Sequence, residues 1–320
     1  MKVICLGELL VDFVCTDTNA GLVKGYNFVK KPGGAPANVT ACIGKLGGEA
    51  YFVGAVGQDP FGDYLFNELR QYQVNLDYAF QLPISTTLAF VSLADDGERE
   101  FAFNRGADEQ LVLSKKQIDA LLVDSILHLG SATALLGGNL SSSYLAIATA
   151  AKANGNIISF DPNFRIDLWK GQEETFRKEC DAYFSLADIV KVSDEEMLLI
   201  TDQTDMRKGC EYFHAKGVRI VLVTLGSKGC LVSQSGTQYV VPAYEVNAID
   251  TTGAGDSFIG GVLFQMAAND PQDDFYASQI QQFVEFAEKV SGQVCSKIGA
   301  MTALPTLLEI DSMKFIAKKH

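Results

Sequence analysis

Four apolar runs decide the fold: Ile126-Leu127-His128-Leu129, Ile157-Ile158-Ser159-Phe160, Ile189-Val190-Lys191-Val192 and Ile220-Val221-Leu222-Val223-Thr224-Leu225. Each is short and rich in β-branched residues, and reads as a buried strand. Between them, Ser143 to Asn154, Glu173 to Tyr183, Asp194 to Ile200 and Met206 to Lys216 carry apolar residues at helical spacing. Strand and helix in alternation imply a parallel sheet covered on both faces, because right-handed crossovers place the helices there. No internal repeat or low-complexity linker interrupts the pattern.

Polar residues follow each strand: Gly130-Ser131, Asp161-Pro162-Asn163, Ser193-Asp194 and Gly226-Ser227. In open α/β sheets ligands bind beyond the carboxyl ends of the strands, so these loops are expected to converge on one crevice. Any strand also needs a polar turn, and a single loop would carry little weight. The first third of the chain reads differently. Leu88 and Phe90, then Asp95-Asp96-Gly97, then Phe101 and Phe103 alternate around a turn signal, which predicts a hairpin with one apolar face. A lone hairpin is marginally stable, so this one must lie on the main domain, on a ligand or on another subunit. Together with Val11 to Val29 it forms a small lid sheet.

The chain has 320 residues, enough for about two domains or one large domain with an appendage. At 48% apolar and 20% charged residues it can bury a sizeable core. A net charge of −13 opposes broad attraction to nucleic acid or anionic lipid, so neither is an expected partner. An anionic ligand must be held by a local arrangement of backbone N–H groups, a metal or a few bases. Seven cysteines, without a C-x-x-C pair or a histidine at zinc spacing, read as reduced core residues. No signal-peptide or membrane-spanning run is visible, and a cytoplasmic protein is expected.

Two glycine clusters carry the chemical signal. Gly33-Gly34-Ala35-Pro36-Ala37-Asn38 leads into a helical pattern from Val39 to Leu46. Its glycines allow close approach of backbone to a ligand, and Asn38 can offer an amide to a hydroxylated one. The same text also fits a tight turn with a capping asparagine. The second cluster, Asp250-Thr251-Thr252-Gly253-Ala254-Gly255-Asp256-Ser257-Phe258, runs into the apolar helix Ile259 to Met266. Small residues at a helix head leave N–H groups unpaired, and the macrodipole adds about half a positive charge, which makes an anion site. Helix capping alone would favour Asp256 and Ser257 there, but it does not require Gly-Ala-Gly. There is no G-x-x-x-x-G-K-[ST] and no G-x-G-x-x-G after the first strand, which excludes a P-loop enzyme and a simple Rossmann dehydrogenase.

At these residues the sequence resembles the ribokinase, or PfkB, family of carbohydrate kinases, and within it the fructokinases. The resemblance covers nearly the whole chain. Gly33 to Gly48 is similar to the family's N-terminal signature, and Asp250 to Phe258 to its C-terminal one. Val223-Thr224-Leu225-Gly226-Ser227-Lys228-Gly229 resembles the nucleotide-binding strand and loop, and Gly299-Ala300 the closing turn. Fructokinase-like text follows in Gly97 to Phe101 with Arg105 and Ala107-Asp108, in Asp161 to Arg165 with Leu168-Trp169, and in Lys191 to Asp194. One departure is Ser193-Asp194-Glu195-Glu196 where the wider family often has Asn-x-x-Glu; Glu196 is retained as a metal residue and Ser193 discounted.

The resemblance implies an α/β fold, a three-layer α/β/α sandwich around a mostly parallel sheet, with a small β lid. It places the large domain at 1–11, 30–83 and 106–320 and the lid at 12–29 and 84–105. It implies ATP-dependent phosphorylation of a small sugar, most simply fructose. Asp256 would be the general base, the N–H groups of Gly253, Ala254 and Gly255 the anion hole, and Arg165 a clamp. Asp12, Gly33, Gly34, Asn38 and Arg105 would meet the sugar; Lys191, Thr224, Gly226, Gly229, Gly253 and Gly255 the nucleotide. Mg²⁺ is expected near Glu196, acting through water, and a potassium-like ion near Asp250 and Thr252. The rivals are a 2-keto-3-deoxygluconate kinase, whose substrate carboxylate Arg105 and Arg165 would neutralise, a nucleoside kinase, and a non-catalytic sugar or nucleotide sensor. The apolar hairpin is also compatible with a homodimer through the lid.

Overall fold

The computed structural model describes residues 1–18, 20–93, 99–234, 236–269 and 275–314. Nine strands form the central sheet. They are β1 (Lys2–Leu6), β4 (Ala50–Gly57), β5 (Asn75–Leu82), β8 (Ser125–Leu129), β9 (Ile157–Phe160), β10 (Ile189–Ser193), β11 (Ile220–Thr224), β12 (Cys230–Gln234) and β13 (Thr237–Val241). Their order is β13-β12-β11-β10-β9-β8-β1-β4-β5, parallel except for β12 and β13, which are antiparallel to their neighbours. The four strands read from sequence lie at its centre and are extended on both sides. Order reverses at β1, which pairs with β4 on one side and β8 on the other. A crevice opens beyond the strand ends at such a reversal.

Alternate side chains of each strand enter different cores, as strand geometry requires. Val3, Cys5, Phe52, Ile126 and Leu222 pack with the helices Ala35–Lys45, Ala254–Ala268 and Phe275–Cys295. Ile4, Leu6, Val53, Leu127 and Val221 pack with Gly138–Asn154, Glu173–Phe184 and Met206–Ala215. Two cores on the two faces of one sheet make three layers. Burying a side chain such as Leu or Ile contributes roughly 1.5–3 kcal/mol, so these two faces dominate the fold. The Gly138–Asn154 helix begins five residues before the periodicity suggests, because glycine and serine hide its first turn. All seven cysteines are free thiols; five are buried and Cys15 and Cys295 half-buried. Among the described residues no helix is long and apolar enough to cross a membrane.

A second sheet, ordered β3-β2-β6-β7, contains β2 (Leu10–Cys15), β3 (Phe28–Gly33), β6 (Leu88–Leu93) and β7 (Arg99–Asn104). The expected hairpin is β6 and β7, in antiparallel register; its Asp95-Asp96-Gly97 turn lies outside the described residues. Its single apolar face is corrected. Leu88 pairs with Asn104 and Phe90 with Ala102, whereas Phe101 pairs with Val91 and Phe103 with Ala89. Paired residues share a face, so Leu88 and Phe90 lie on one side and Phe101 and Phe103 on the other. Phe90 stacks on Phe13, which meets Phe61 of the helix Pro60–Gln71 edge-on, at 5.1 and 5.6 Å between centroids. One face of the sheet is thereby fixed to the large layer system, and the other is left for the crevice.

Glu288, on the helix Phe275–Cys295, is only 7% exposed, and burial pushes its carboxyl up to about 8. A carboxyl raised in the folded state favours folding while protonated; that contribution is complete below its ordinary range and is lost as pH rises through the folded value. Glu288→Gln is therefore expected to leave the thermal unfolding midpoint almost unchanged near about pH 5 and to raise it near about pH 9. An equal effect at both pH values, measured by differential scanning calorimetry, would contradict this.

Candidate active site

The helix Ala254–Ala268 starts from Gly253, which has φ 76°, a left-handed conformation suited to glycine. A Cβ there would also strike Ala300. Asp256 therefore falls in the first helical turn and is 9% exposed. The N–H of Ala254 is engaged, donating to the Thr251 carbonyl at 3.1 Å. The N–H groups of Gly253 and Gly255 donate to no acceptor among the described residues. Gly253 and Gly255 are thus free donors at this helix head, with Ala254 serving the turn.

Asp256 is oriented from the neighbouring helix Ala35–Lys45. The Asn38 Nδ2 donates to Asp256 Oδ2 at 2.8 Å, while Asn38 Oδ1 is buried without a partner. One of the two N–H groups of the Asn38 amide is engaged by the neighbouring carboxylate, and Asn38 also lines the cavity. Asn38 is in position because Gly34, at φ 108°, starts the helix Ala35–Lys45 hard against the Glu8 carbonyl, where no Cβ fits. A Cβ on Gly33 would meet the Asp12 carboxylate, which would have to turn aside.

These groups surround one cavity of about 830 Å³, lined by Asp12, Gly33, Gly34, Asn38, Arg165, Asp250, Thr252, Gly253 and Asp256. The lid contributes Leu10, Val14, Val91, Phe101 and Phe103, so its polar residue Asp12 points out of an apolar face toward the crevice. Burial pushes the Asp12 carboxyl up to about 6, with Arg165 and Lys31 opposing the rise. Asp250 is fixed by Thr252 N–H at 2.9 Å, Thr252 Oγ1 at 2.6 Å and Gly299 N–H at 2.8 Å. Partial burial raises its carboxyl, but these donors outweigh it and hold the group below its usual range.

Other expected residues stand beside the cavity. Lys191 is buried and paired with Asp161 at 2.8 Å. Burial disfavours its charge, yet Asp161 and Glu196 carry it up to about 12, and its Nζ lies 3.1 Å from the place of a Cβ on Gly255. Thr224 ends β11 and Gly226 opens the turn that follows; Gly229, at φ 101°, abuts the Val241 carbonyl. Glu196 accepts from Phe164 N–H and Ser193 N–H, both at 2.8 Å, in a capping box that explains Ser193 as a helix cap. Arg105 does not line the cavity. Its guanidinium is held by Asp108 at 3.3 Å and the Thr133 carbonyl at 2.9 Å.

Sequence reasoning missed Glu8. It follows β1 and is 1% exposed, accepting from Ser131 Oγ at 2.6 Å, Ala35 N–H at 3.1 Å and Ala132 N–H at 3.4 Å. Burial drives its carboxyl up to about 7 against those donors. The available signal was an acid placed directly after a buried strand. No group of three His, Cys, Asp or Glu able to hold a metal occurs among the described residues.

The profile of the pfkB family carbohydrate kinase matches residues 1–307. Fructokinase-2 of Zea mays is 37% identical over 311 residues, covering 95% of this chain and 91% of that protein. The fructokinase from Xylella fastidiosa with bound ATP superposes with a TM-score of 0.85 at 30% identity, over 97% of each chain. The fructokinase from Vibrio cholerae O395 in its fructose, ADP and calcium ion bound form gives 0.83 at 31% identity, over 97% of this chain and 98% of that one. With a sheet, a lid and a helix-head acid of the expected kind already in place, this agreement along the chain makes it a member of the pfkB family of carbohydrate kinases.

Proposed function

We propose that this chain transfers the γ-phosphate of ATP to a hydroxyl of a small sugar, with fructose to fructose 6-phosphate as the reaction to which its relatives' names point. The observation that carries the reading is the setting of Asp256. Its carboxylate and the undonated N–H groups of Gly253 and Gly255 share one helical turn, of which Gly253 and Asp256 line the cavity that also holds Asp12. Phosphoryl transfer needs the hydroxyl, the phosphorus and the leaving oxygen in line, with negative charge stabilised. Asn38 holds Asp256 by Oδ2, which leaves Oδ1 to accept the proton of the attacking hydroxyl. Charge on the phosphoryl oxygens meets the two N–H groups and the positive helix end, fixed before the reaction begins.

Asp12 accepts sugar hydroxyls, and Gly33 and Gly34 give them room. Arg165 adds positive charge on the cavity wall opposite the helix head. Lys191, Thr224, Gly226 and Gly229 form the nucleotide side, beyond β10 and β11. Magnesium bound with ATP supplies charge neutralisation between its phosphates. Each oxygen of Glu196 accepts one backbone N–H and keeps a further lone pair for a metal-bound water. A single carboxylate, without a protein cluster, suits an ion that retains its hydration shell. Asp250 and Thr252 are the assigned neighbours of a monovalent cation. The 2-keto-3-deoxygluconate reading loses one counter-charge, because Arg105 is occupied by Asp108 and Thr133. A coupled ADP assay across fructose, other sugars and the keto-acid tests the choice, and preference for the keto-acid would overturn it.

Asp256→Asn is expected to lower kcat by about 10²- to 10⁴-fold while both substrates still bind. Steady-state kinetics with near-normal kcat would remove the base from this account. Gly255→Val caps the helix head with a branched side chain and is expected to weaken ATP use; unchanged rate and ATP KM would remove the anion hole. Because the Asp12 carboxyl is raised, its acceptor character is lost as pH falls through about 6. The sugar KM is expected to rise below that pH, and Asp12→Asn to raise it at every pH and flatten the profile. A wild-type sugar KM that is flat through this range would contradict the assignment.

A further inference from the structure

The β6–β7 hairpin of the lid sheet joins the large domain at two adjacent roots, Ser85 to Thr87 before β6 and Arg105 to Ala107 after β7, while β2 and β3 make the sheet's other two connections. The roots are bound to each other: Ala107 N–H donates to the Ser85 carbonyl at 2.9 Å, and Gly106 N–H to Thr87 Oγ1 at 2.9 Å. A Cβ on Gly106 would strike that same Ser85 carbonyl, so the two segments move as one. Two neighbouring threonines then grip two different carboxylates. Thr86 donates from N–H and Oγ1 to Asp59, both at 2.7 Å. Asp59 otherwise caps the helix Pro60–Gln71, through Phe61 and Gly62 N–H. That clasp anchors the root to the body of the large domain.

The second clasp reaches the sugar cavity. Thr87 Oγ1 donates to Asp108 Oδ1, and Asp108 Oδ2 accepts Thr133 Oγ1 at 2.8 Å and Arg105 Nε at 3.3 Å. Arg105 Nη2 closes the ring on the Thr133 carbonyl at 2.9 Å. Asp108, Thr87 and Thr133 are each 1% exposed, so water cannot substitute for these partners. Thr133 lines the cavity. One oxygen of Asp108 thus holds the lid root at Thr87, and the other holds both the wall at Thr133 and the second root at Arg105.

We infer that Asp108 is a positioning residue that couples the orientation of the lid to the wall of the sugar cavity, with Arg105 as its strut. The inference rests on the sugar-kinase reading of this cavity. A lid turning about Thr86 carries Thr87 and Arg105 with it, and Asp108 passes the movement to Thr133. With the clasp intact the lid and wall adopt the sugar-competent arrangement together; with it broken, only a fraction of molecules do, and apparent sugar affinity falls by that fraction. The nucleotide side, at β10 and β11, lies outside the linkage.

The test is steady-state kinetics of Asp108→Asn, Thr87→Val and the double variant, varying fructose and ATP separately, with thermal unfolding recorded alongside. Both single variants are expected to raise the fructose KM by about tenfold or more, with the ATP KM within about twofold of the wild type. The double variant is expected to be no worse than Asp108→Asn, because both changes cut the same link. A purely structural role would lower the unfolding midpoint without this split between substrates. An unchanged fructose KM, or equal rises in both KM values, overturns the inference. If Asp108→Asn does not fold, Thr87→Val, which alters a single hydroxyl, decides the matter by the same readout. A wild type that phosphorylates no sugar overturns the functional reading and this inference together; an active wild type with unmoved variants overturns the inference alone.

Discussion

A buried carboxylate joins the two strands between which the central sheet reverses. Glu8 leaves the end of β1 and reaches Ser131 and Ala132 beyond β8, while also receiving the N–H of Ala35 at the start of the next helix. Taking an acid out of water is costly unless donors surround it, and three donors from two loops do so here. The rest of the cavity depends on this junction. Ala35 sets the helix that carries Asn38, Asn38 sets Asp256, and Ser131 receives the Thr133 and Ala134 N–H groups at 3.2 and 2.9 Å. The Asp256 carboxylate is thus oriented through a chain of contacts that begins at the end of β1.

The electrostatics are local. A net charge of −13 repels a polyphosphate at long range, and ionic screening confines that repulsion to about 8–10 Å. The crevice lining sets Lys30, Lys31 and Arg165 among the acids Glu8, Asp12, Glu68, Asp167, Asp250 and Asp256, so attraction for an anion rests on the amino end of the helix Ala254–Ala268, with Lys191 beside the cavity. Lys191 keeps its charge despite burial because Asp161 and Glu196 pay for it. Asp12 is the opposite case, a carboxyl raised by burial on an apolar lid face and only partly relieved by Arg165 and Lys31. The surroundings of Asp12 and of the helix head therefore differ in what they stabilise, as the proposed transfer between them requires.

Much of this was legible in the residues, and the reasons are specific. The runs at Ile126, Ile157, Ile189 and Ile220 are buried on both faces, so they stay apolar without alternation and read as central strands. The Gly253-Ala254-Gly255 text read as a helix head because small residues leave N–H groups unpaired there and capping alone does not require them. The division of labour within it was not legible: the Ala254 N–H turns back to Thr251, a choice made by backbone geometry and not by side-chain type. The lid was legible as an unsupported hairpin, but its faces were not, since the register Leu88 with Asn104 depends on the turn length. The sequence gives no hint that Arg105 has a buried partner; Asp108, three residues on, holds it. Glu8 escaped because its partners are 27 and 123 residues away.

The central claim is that a single cavity passes a phosphoryl group from ATP to a carbohydrate hydroxyl beside Asp256. Phosphorus-31 NMR of the purified protein with ATP, magnesium and fructose tests it most directly, because it identifies the acceptor atom. The account predicts ADP together with a phosphomonoester signal split by the two protons of a primary carbon. Inorganic phosphate as the sole new product, or no consumption of ATP beyond the protein-free control, would contradict it.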